Sequence, residues 1–298
     1  MKNHTPNELT IVIPVFNEEQ AIPEFVPVLL QYASEYEWQI IFVDDASTDE
    51  SSARLECFCD GVQVALVRHK VNRGYGGALK TGIRMTETKF VLTMDGDGQH
   101  HPKDATKLFE AIRDQNADMV IGCRSNNPAG FYRAVGRRLI RWVAGLLMPI
   151  TIQDLNSGMK AYKTTYAQRY ISLCPDGMAF SDVITLVFIN RGRLVVEEDI
   201  DVRPRISGNS TVNTMTAIDT LLEIINIVAL FNPSKIFLPT GLVFIVFGLV
   251  WGLPFILRDE GISVGTMLLL ISGLIFFLMG LGAEQISMIR RGQIDEKD

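Results

Sequence analysis

The chain has 298 residues, 47% of them hydrophobic, and 28 Lys and Arg against 34 Asp and Glu give a formal net charge of -6. A general nucleic-acid binder would be basic, so no nucleic-acid partner is expected. This length holds two average domains, or one larger domain with an appendage, and the apolar excess gathered after Lys235 favours the second.

In chain order, residues 9–16 (LTIVIPVF) form an apolar, β-branched run that reads as a strand, and a helical pattern opens at Asn17-Glu18-Glu19 and runs to about Ser34. Residues 38–43 (WQIIFV) repeat the strand pattern and end in a segment, 44–49, whose Asp, Ser and Thr are good helix N-caps. A third strand is expected over 62–67, then a glycine-rich segment at 72–77 opening a helix to Met85. A fourth strand starts at Phe90, a helix runs from Pro102 to about Gln115, and 118–123 (DMVIGC) makes a fifth strand. Continuous apolar strands alternating with helices predict an α/β domain with a mostly parallel sheet covered on both faces. Cys57, Cys59, Cys123 and Cys174 show neither zinc spacing nor a dense disulfide pattern and read as reduced cysteines of a cytosolic domain. Residues 1–8 are polar and lack the basic-then-apolar order of a cleaved signal peptide.

Further along, residues 131–149 mix arginines with Leu, Ile, Trp and Val at helical spacing, as an interfacial membrane helix would, and 215–231 is a less basic second candidate; core packing is the alternative for both. Residues 236–257 are 22 residues without a charge and 266–283 are 18 more. Each can cross a hydrocarbon core of about 30 Å at about 1.5 Å per residue, the second if it continues toward Met288 past Glu284. Lys235 precedes the first span and Arg290 and Arg291 follow the second, while the connection at 258–261 holds one cation. The positive-inside rule then puts both termini and the N-terminal domain in the cytoplasm, integral to the inner or plasma membrane. The expected organisation is a soluble domain over 1–212, an interfacial helix over 213–235, a hairpin over 236–288 and a tail over 289–298. Two spans cannot form a wide pore alone, which sets aside a transporter reading for the monomer, and the oligomeric state stays open, a homo-oligomer included.

The chemistry centres on Met94-Asp95-Gly96-Asp97-Gly98-Gln99, where an apolar strand ends in two carboxylates spaced by glycine. Carboxylates at i and i+2, with glycines letting the backbone turn, can approach one cation, and oxygen ligands of that kind suit Mg²⁺ or Mn²⁺ completed by substrate phosphates. A polar strand-to-loop turn is the plain alternative for this stretch alone. What decides between them is convergence: Asn17-Glu18, Asp44-Asp45, 72–77, 95–99 and Arg124 all fall at the carboxyl ends of predicted strands, where α/β sheets bind ligands. A dinucleotide-binding domain is excluded because Pro14-Val15-Phe16-Asn17-Glu18 stands where G-x-G-x-x-G would be required, and there is no Walker A motif.

These residues resemble the inverting family 2 glycosyltransferases of GT-A fold, in particular the polyprenyl-phosphate group that includes dolichol-phosphate mannose synthases. The resemblance rests on IVIPVFNEE (11–19), VDDASTD (43–49), NRGYGGALKTGI (72–83), MDGDGQHHP (94–102), DLNSGMKAY (154–162) and RPRISGNS (203–210), in family order. It implies nucleotide binding by Pro14, Phe16, Glu18, Asp44 and Asp45, and a metal-diphosphate site of Asp95 and Asp97 with Gln99 nearby. It also implies an acceptor phosphate held by Arg124, Arg138 and Arg205, with Arg137 an equal neighbour. Asp154 is the candidate for positioning acceptor or metal, with a helix or turn cap as its alternative. The implied partners are a UDP- or GDP-sugar donor, a polyprenyl-phosphate acceptor and the membrane. A non-catalytic membrane-anchored scaffold and a polysaccharide-chain transferase are the competing readings. One departure stands out: the family's lysine after G-x-S is Thr211 here, with Arg203 able to supply charge. His100 and His101 are read as near the site rather than ligating, and His69 carries no signal.

Overall fold

A computed structural model describes residues 8–124, 152–155, 157–202, 233–259 and 261–295. The described residues fall into two compact units, one within 8–202 and one within 233–295. The two expected interfacial helices, 131–149 and 215–231, lie outside the described residues, as do Arg137, Arg138, Arg203, Arg205 and Thr211.

The first unit is an α/β domain. Its strands are β1 (Leu9–Val15), β2 (Gln39–Asp44), β3 (Val64–Arg68), β4 (Phe90–Thr93), β5 (Met119–Cys123), β6 (Lys160–Lys163) and β7 (Val195–Asp199). They form one seven-stranded sheet in the order β3-β2-β1-β4-β6-β5-β7. All neighbours are parallel except β6, which is antiparallel to both β4 and β5. The mostly parallel sheet read from the apolar runs is therefore present, with one reversed strand that the sequence did not announce.

The helices are α1 (Ile22–Tyr36), α2 (Ser51–Glu56), α3 (Tyr75–Met85), α4 (Pro102–Asp114), α5 (Thr164–Tyr170) and α6 (Phe180–Asn190). Leu9, Ile11, Ile13 and Val15 pack with Phe25, Val26 and Leu29 of α1 and with Leu108, Phe109 and Ile112 of α4 in one buried cluster. Trp38, 1% exposed, seals it, stacked on Tyr36 at 4.9 Å and edge-on to Phe109 at 6.1 Å. Burial of an aromatic in this way is worth about 3–5 kcal/mol against truncation to Ala.

Two element starts differ from expectation for local reasons. Helix α1 opens at Ile22 rather than Asn17, because Asn17 takes a left-handed φ of 57° and the backbone N–H groups of Asn17, Glu18 and Glu19 donate to Ser47, Ser51 and Asp49. Strand β3 starts at Val64 because one Asp60 carboxylate oxygen takes the N–H groups of Val62, Gln63 and Val64, which fixes a turn.

The second unit consists of α7 (Ser234–Leu257) and α8 (Val264–Asp295), packed on each other. Stretches of 24 and 26 residues, Ser234–Leu257 and Val264–Ile289, are long and apolar enough to cross a membrane. Gly241 of α7 lets the backbones meet: a Cβ there would lie 2.8 Å from the Gly273 carbonyl oxygen. Phe244 stacks on Phe276 at 5.5 Å nearby, and the Glu284 carboxylate accepts from the Ser234 N–H at 3.4 Å, at the start of α7. The large apolar side chains of both helices otherwise face outward, Trp251 and Leu257 among them.

Candidate active site

Strands β1 and β4 are neighbours from which the chain departs toward opposite edges of the sheet, β1 to β2 and β4 to β5, so their carboxyl ends open the crevice where α/β proteins bind ligands. The β1–β4 pairing ends at Val12 and Thr93. Pro14, which has no N–H to give, lies beyond that point, where β1 pairs only with β2. Phe16 follows at the rim, 46% exposed, and Gly96 sits against Pro14.

The loops after β1 and β2 are laced together. Asn17 Oδ1 accepts from the Thr48 N–H at 2.8 Å, and Asp44 Oδ1 accepts from the Ser47 N–H at 2.9 Å. Buried Asp45 is directed at the chain itself: its carboxylate accepts from the N–H groups of Arg73 (2.8 Å) and Gly74 (2.7 Å) and meets His69 Nδ1 at 2.6 Å. His69 Nε2 continues to the Thr81 hydroxyl at 2.9 Å. Asp45 and His69 thus pin the start of the glycine-rich segment to the end of β2.

At the end of β4, Asp95 Oδ1 accepts from the Tyr75 hydroxyl at 2.9 Å, and Oδ2 lies 3.4 Å from His100 Nε2. Burial raises the Asp95 pKa, but His100, Tyr75 and the Arg124 charge outweigh it and hold the carboxyl below its ordinary value. Gly158 leaves room for this arrangement, since a Cβ there would run into the Asp95 carboxylate. Asp97 is buried, and its Oδ1 accepts from the Gln99 N–H at 3.1 Å. His101 caps α4, its Nδ1 accepting from the Lys103 N–H at 2.9 Å, whereas His100 is buried with Nδ1 unpartnered among the described residues.

Across β6, at the end of β5, Arg124 grips Asp154 in a bidentate pair, Nε to Oδ2 at 2.6 Å and NH2 to Oδ1 at 2.8 Å. Burial works against the Asp154 charge, but the Arg124 hydrogen bonds prevail and lower its pKa. Glu197 of β7 accepts from the N–H groups of Gln153 and Asp154 and fixes the loop. Behind this pair Lys160 is fully buried, donating to the Leu155 and Ser181 carbonyls and the Thr185 hydroxyl, and burial brings its pKa down to about 8. Asp182, in the first turn of α6, has its pKa pushed up to about 6 by burial, against the attraction of Lys160.

The Asp95–Asp97 pair fits a hard divalent cation in donor chemistry, and the Asp95 side chain is 30% open. Among the described residues no group of three His, Cys, Asp or Glu makes a protein-only cage. Mg²⁺ and Mn²⁺ of this kind take the rest of their shell from water and substrate phosphates.

Residues 10–174 match the family model described as glycosyl transferase family 2, more than half of the chain. The chain belongs to glycosyl transferase family 2. Residues 232–289 of this glycosyltransferase match a second model, the GtrB C-terminal hairpin, which coincides with α7 and α8. It is 29% identical to the dodecaprenyl-phosphate galacturonate synthase of Rhizobium johnstonii over 53% of this chain and 48% of that enzyme, so the match spans about half of that relative. It is 22% identical to the undecaprenyl-phosphate 4-deoxy-4-formamido-L-arabinose transferase of Proteus mirabilis over 95% of this chain and 89% of that one. Among solved structures it resembles the glucosyl-3-phosphoglycerate synthase from Mycobacterium tuberculosis, crystallised with Mn²⁺, UDP-glucose and phosphoglyceric acid. That match has a TM-score of 0.55 and 18% identity, over 72% of this chain and 79% of that one. At this identity the likeness speaks to the fold alone.

Within the transferase domain the candidate residues Pro14, Phe16, Asp44, Asp95, Asp97, Gln99, Arg124 and Asp154 all stand at the carboxyl ends of β1, β2, β4 and β5 or on the loop facing β5. Asp45 is there too, with its carboxylate committed to the 69–74 loop. Sequence reasoning passed over Tyr75, set His69 aside as carrying no signal, and passed over Lys160 and Asp182. The first two lie in or beside the glycine-rich motif, and Lys160 lies in the DLNSGMKAY motif, so the motifs were visible but the contacts were not.

Proposed function

We propose that this family 2 transferase moves a single sugar from a nucleotide-diphospho-sugar, with UDP or GDP as carrier, to a polyprenyl phosphate, with inversion at the anomeric carbon. The observation that carries the proposal is the pairing of two charge types at one sheet edge. The Asp95–Asp97 carboxylates suit a cation and a diphosphate, and the Arg124 guanidinium, within electrostatic reach of Asp95, suits a second anion. The polyprenyl-phosphate substrates named for two relatives and the hairpin match support a lipid-borne acceptor.

In this reading a phosphate oxygen of the acceptor forms the new bond to the anomeric carbon as the bond to the nucleotide diphosphate breaks on the opposite face. That oxygen is already anionic at neutral pH, so the chain has no proton to remove. Its task is orientation, for which arginines are suited by bidentate geometry; Arg124, braced by Asp154, is one candidate, and Arg137, Arg138 and Arg205 are the further candidates from the sequence. A bound Mg²⁺ or Mn²⁺ would supply stabilisation of the charge developing on the leaving diphosphate, with Asp95 and Asp97 holding it. Phe16 offers an exposed ring to the base, with Pro14, Glu18, Asp44 and Asp45 shaping the nucleotide pocket. The hairpin keeps the tethered domain at the membrane, and the Lys235, Arg290 and Arg291 flanks favour a cytoplasmic catalytic domain and termini.

A screen of labelled UDP- and GDP-sugars with the full-length protein and polyprenyl phosphate tests the proposal. One donor should give a glycosylated lipid in a divalent-cation-dependent reaction. No transfer from any donor, or full transfer in excess chelator, contradicts it.

A further inference from the structure

One side chain of the glycine-rich segment reaches the acidic pair. Tyr75, the first residue of α3, is flanked by Gly74, Gly76 and Gly77, and its hydroxyl donates to Asp95 Oδ1 at 2.9 Å. Ser181 of α6 lies beside the same hydroxyl. The Ser181 carbonyl in turn accepts from Lys160. Asp95 is therefore held from three directions: Tyr75 on one oxygen, His100 at 3.4 Å from the other, and the bare Cα of Gly158 at its back. A carboxylate with so much of its motion removed beforehand loses little freedom when it takes a ligand.

We propose that Tyr75 is a positioning residue of the donor site, fixing the Asp95 carboxylate in the orientation in which it binds a divalent cation with the nucleotide diphosphate. The inference rests on reading Asp95 and Asp97 as the metal-diphosphate site. The hydroxyl touches neither substrate nor reacting atoms and acts through Asp95. It also makes the glycine-rich segment part of the donor site by way of a side chain, not only through its backbone.

The experiment is Mn²⁺ binding by the full-length protein, followed by electron paramagnetic resonance, with UDP and separately with GDP, for wild type and Tyr75→Phe. Phenylalanine keeps the ring and removes the hydroxyl. Loss of an outer-sphere partner of this kind typically weakens metal affinity roughly 10- to 100-fold. The Mn²⁺ dissociation constant of Tyr75→Phe should rise by about that factor with the melting temperature kept, and transfer activity should recover at raised Mn²⁺. A purely structural tyrosine would show neither the selective loss nor the recovery. Equal Mn²⁺ affinity in the two proteins overturns the role of Tyr75 and leaves the acidic pair as the metal site. Absence of Mn²⁺ binding by the wild type with either nucleotide overturns both. Should Tyr75→Phe fail to fold, Tyr75→Met, which fills the space with an adaptable side chain that has no O–H to give Asp95, carries the test with the same roughly 10- to 100-fold weakening expected. Unchanged affinity there overturns the proposal.

Discussion

Asp182 sits in the first turn of α6, where the helix dipole favours a negative charge, yet burial wins and its carboxyl titrates at about 6 rather than 3.8. The displacement is worth up to about 3 kcal/mol, a figure that already contains the attraction of Lys160, whereas a helix terminus supplies about 1 kcal/mol or less. Between pH 3.8 and about 6 the folded protein holds a proton that the unfolded chain has released. The stability contributed by this group is therefore full below the unfolded value and lost as pH rises through the folded one. Asp182→Asn keeps the size and removes the titration. At pH 7.5 the variant should be more stable than wild type by roughly 1–3 kcal/mol, and near pH 4 the two should coincide. Denaturant unfolding of the detergent-solubilised protein at both pH values gives the difference directly, and subtraction cancels the other carboxylates. A gap that is the same at pH 4 and pH 7.5 would refute the reasoning. A carboxylate kept ionised at such a cost beside Asp154 and Arg124 is a functional-site candidate, so turnover of the variant at neutral pH should fall while its stability rises.

Asp97→Asn should lower turnover by a few orders of magnitude with the fold intact, because a preorganised charge is removed; steady-state rates beside a melting curve check this. Gly158→Ala puts a methyl against the Asp95 carboxylate, so Mn²⁺-dependent activity should drop at least about tenfold while the melting temperature moves by only a few degrees. Asp154→Asn breaks the bidentate pair and removes the Asp154 counter-charge, which should cost about 1–3 kcal/mol of stability and raise the acceptor KM; an unchanged KM would confine Asp154 to a structural role. Thr211→Lys should lower the apparent donor KM if the missing lysine is what loosens the diphosphate there.

The parallel core of the fold was legible because β1, β2, β4 and β5 are buried on both faces and so read as unbroken apolar runs. Helices α7 and α8 were legible for the same reason, apolar along their length. Strand β6 was not, since Lys160-Ala-Tyr-Lys163 has a charged residue at each end and only four residues, and its burial comes from the strands on either side. Strand β7 (VVEED) is half-exposed and acidic. In the site, the acidic pair and Arg124 were visible as chemistry at strand ends. The Tyr75–Asp95 and Asp45–His69–Thr81 contacts were not, because they join residues 12 to 24 positions apart through side-chain direction, which motif spacing does not encode. Nothing in the DLNSGMKAY motif marks Lys160 as buried, because the Leu155 and Ser181 carbonyls that take its charge are brought to it by the fold.

The central claim is that a lipid phosphate is the nucleophile, and acceptor saturation tests it most directly. The full-length enzyme, given its best donor, is titrated with polyprenyl phosphate and with the unphosphorylated polyprenol of the same length, and Arg138→Ala is run beside the wild type. Transfer to the phosphate alone is expected, with the acceptor constant of Arg138→Ala raised roughly tenfold or more and the donor constant nearly unchanged. Equal use of both lipids would contradict the account.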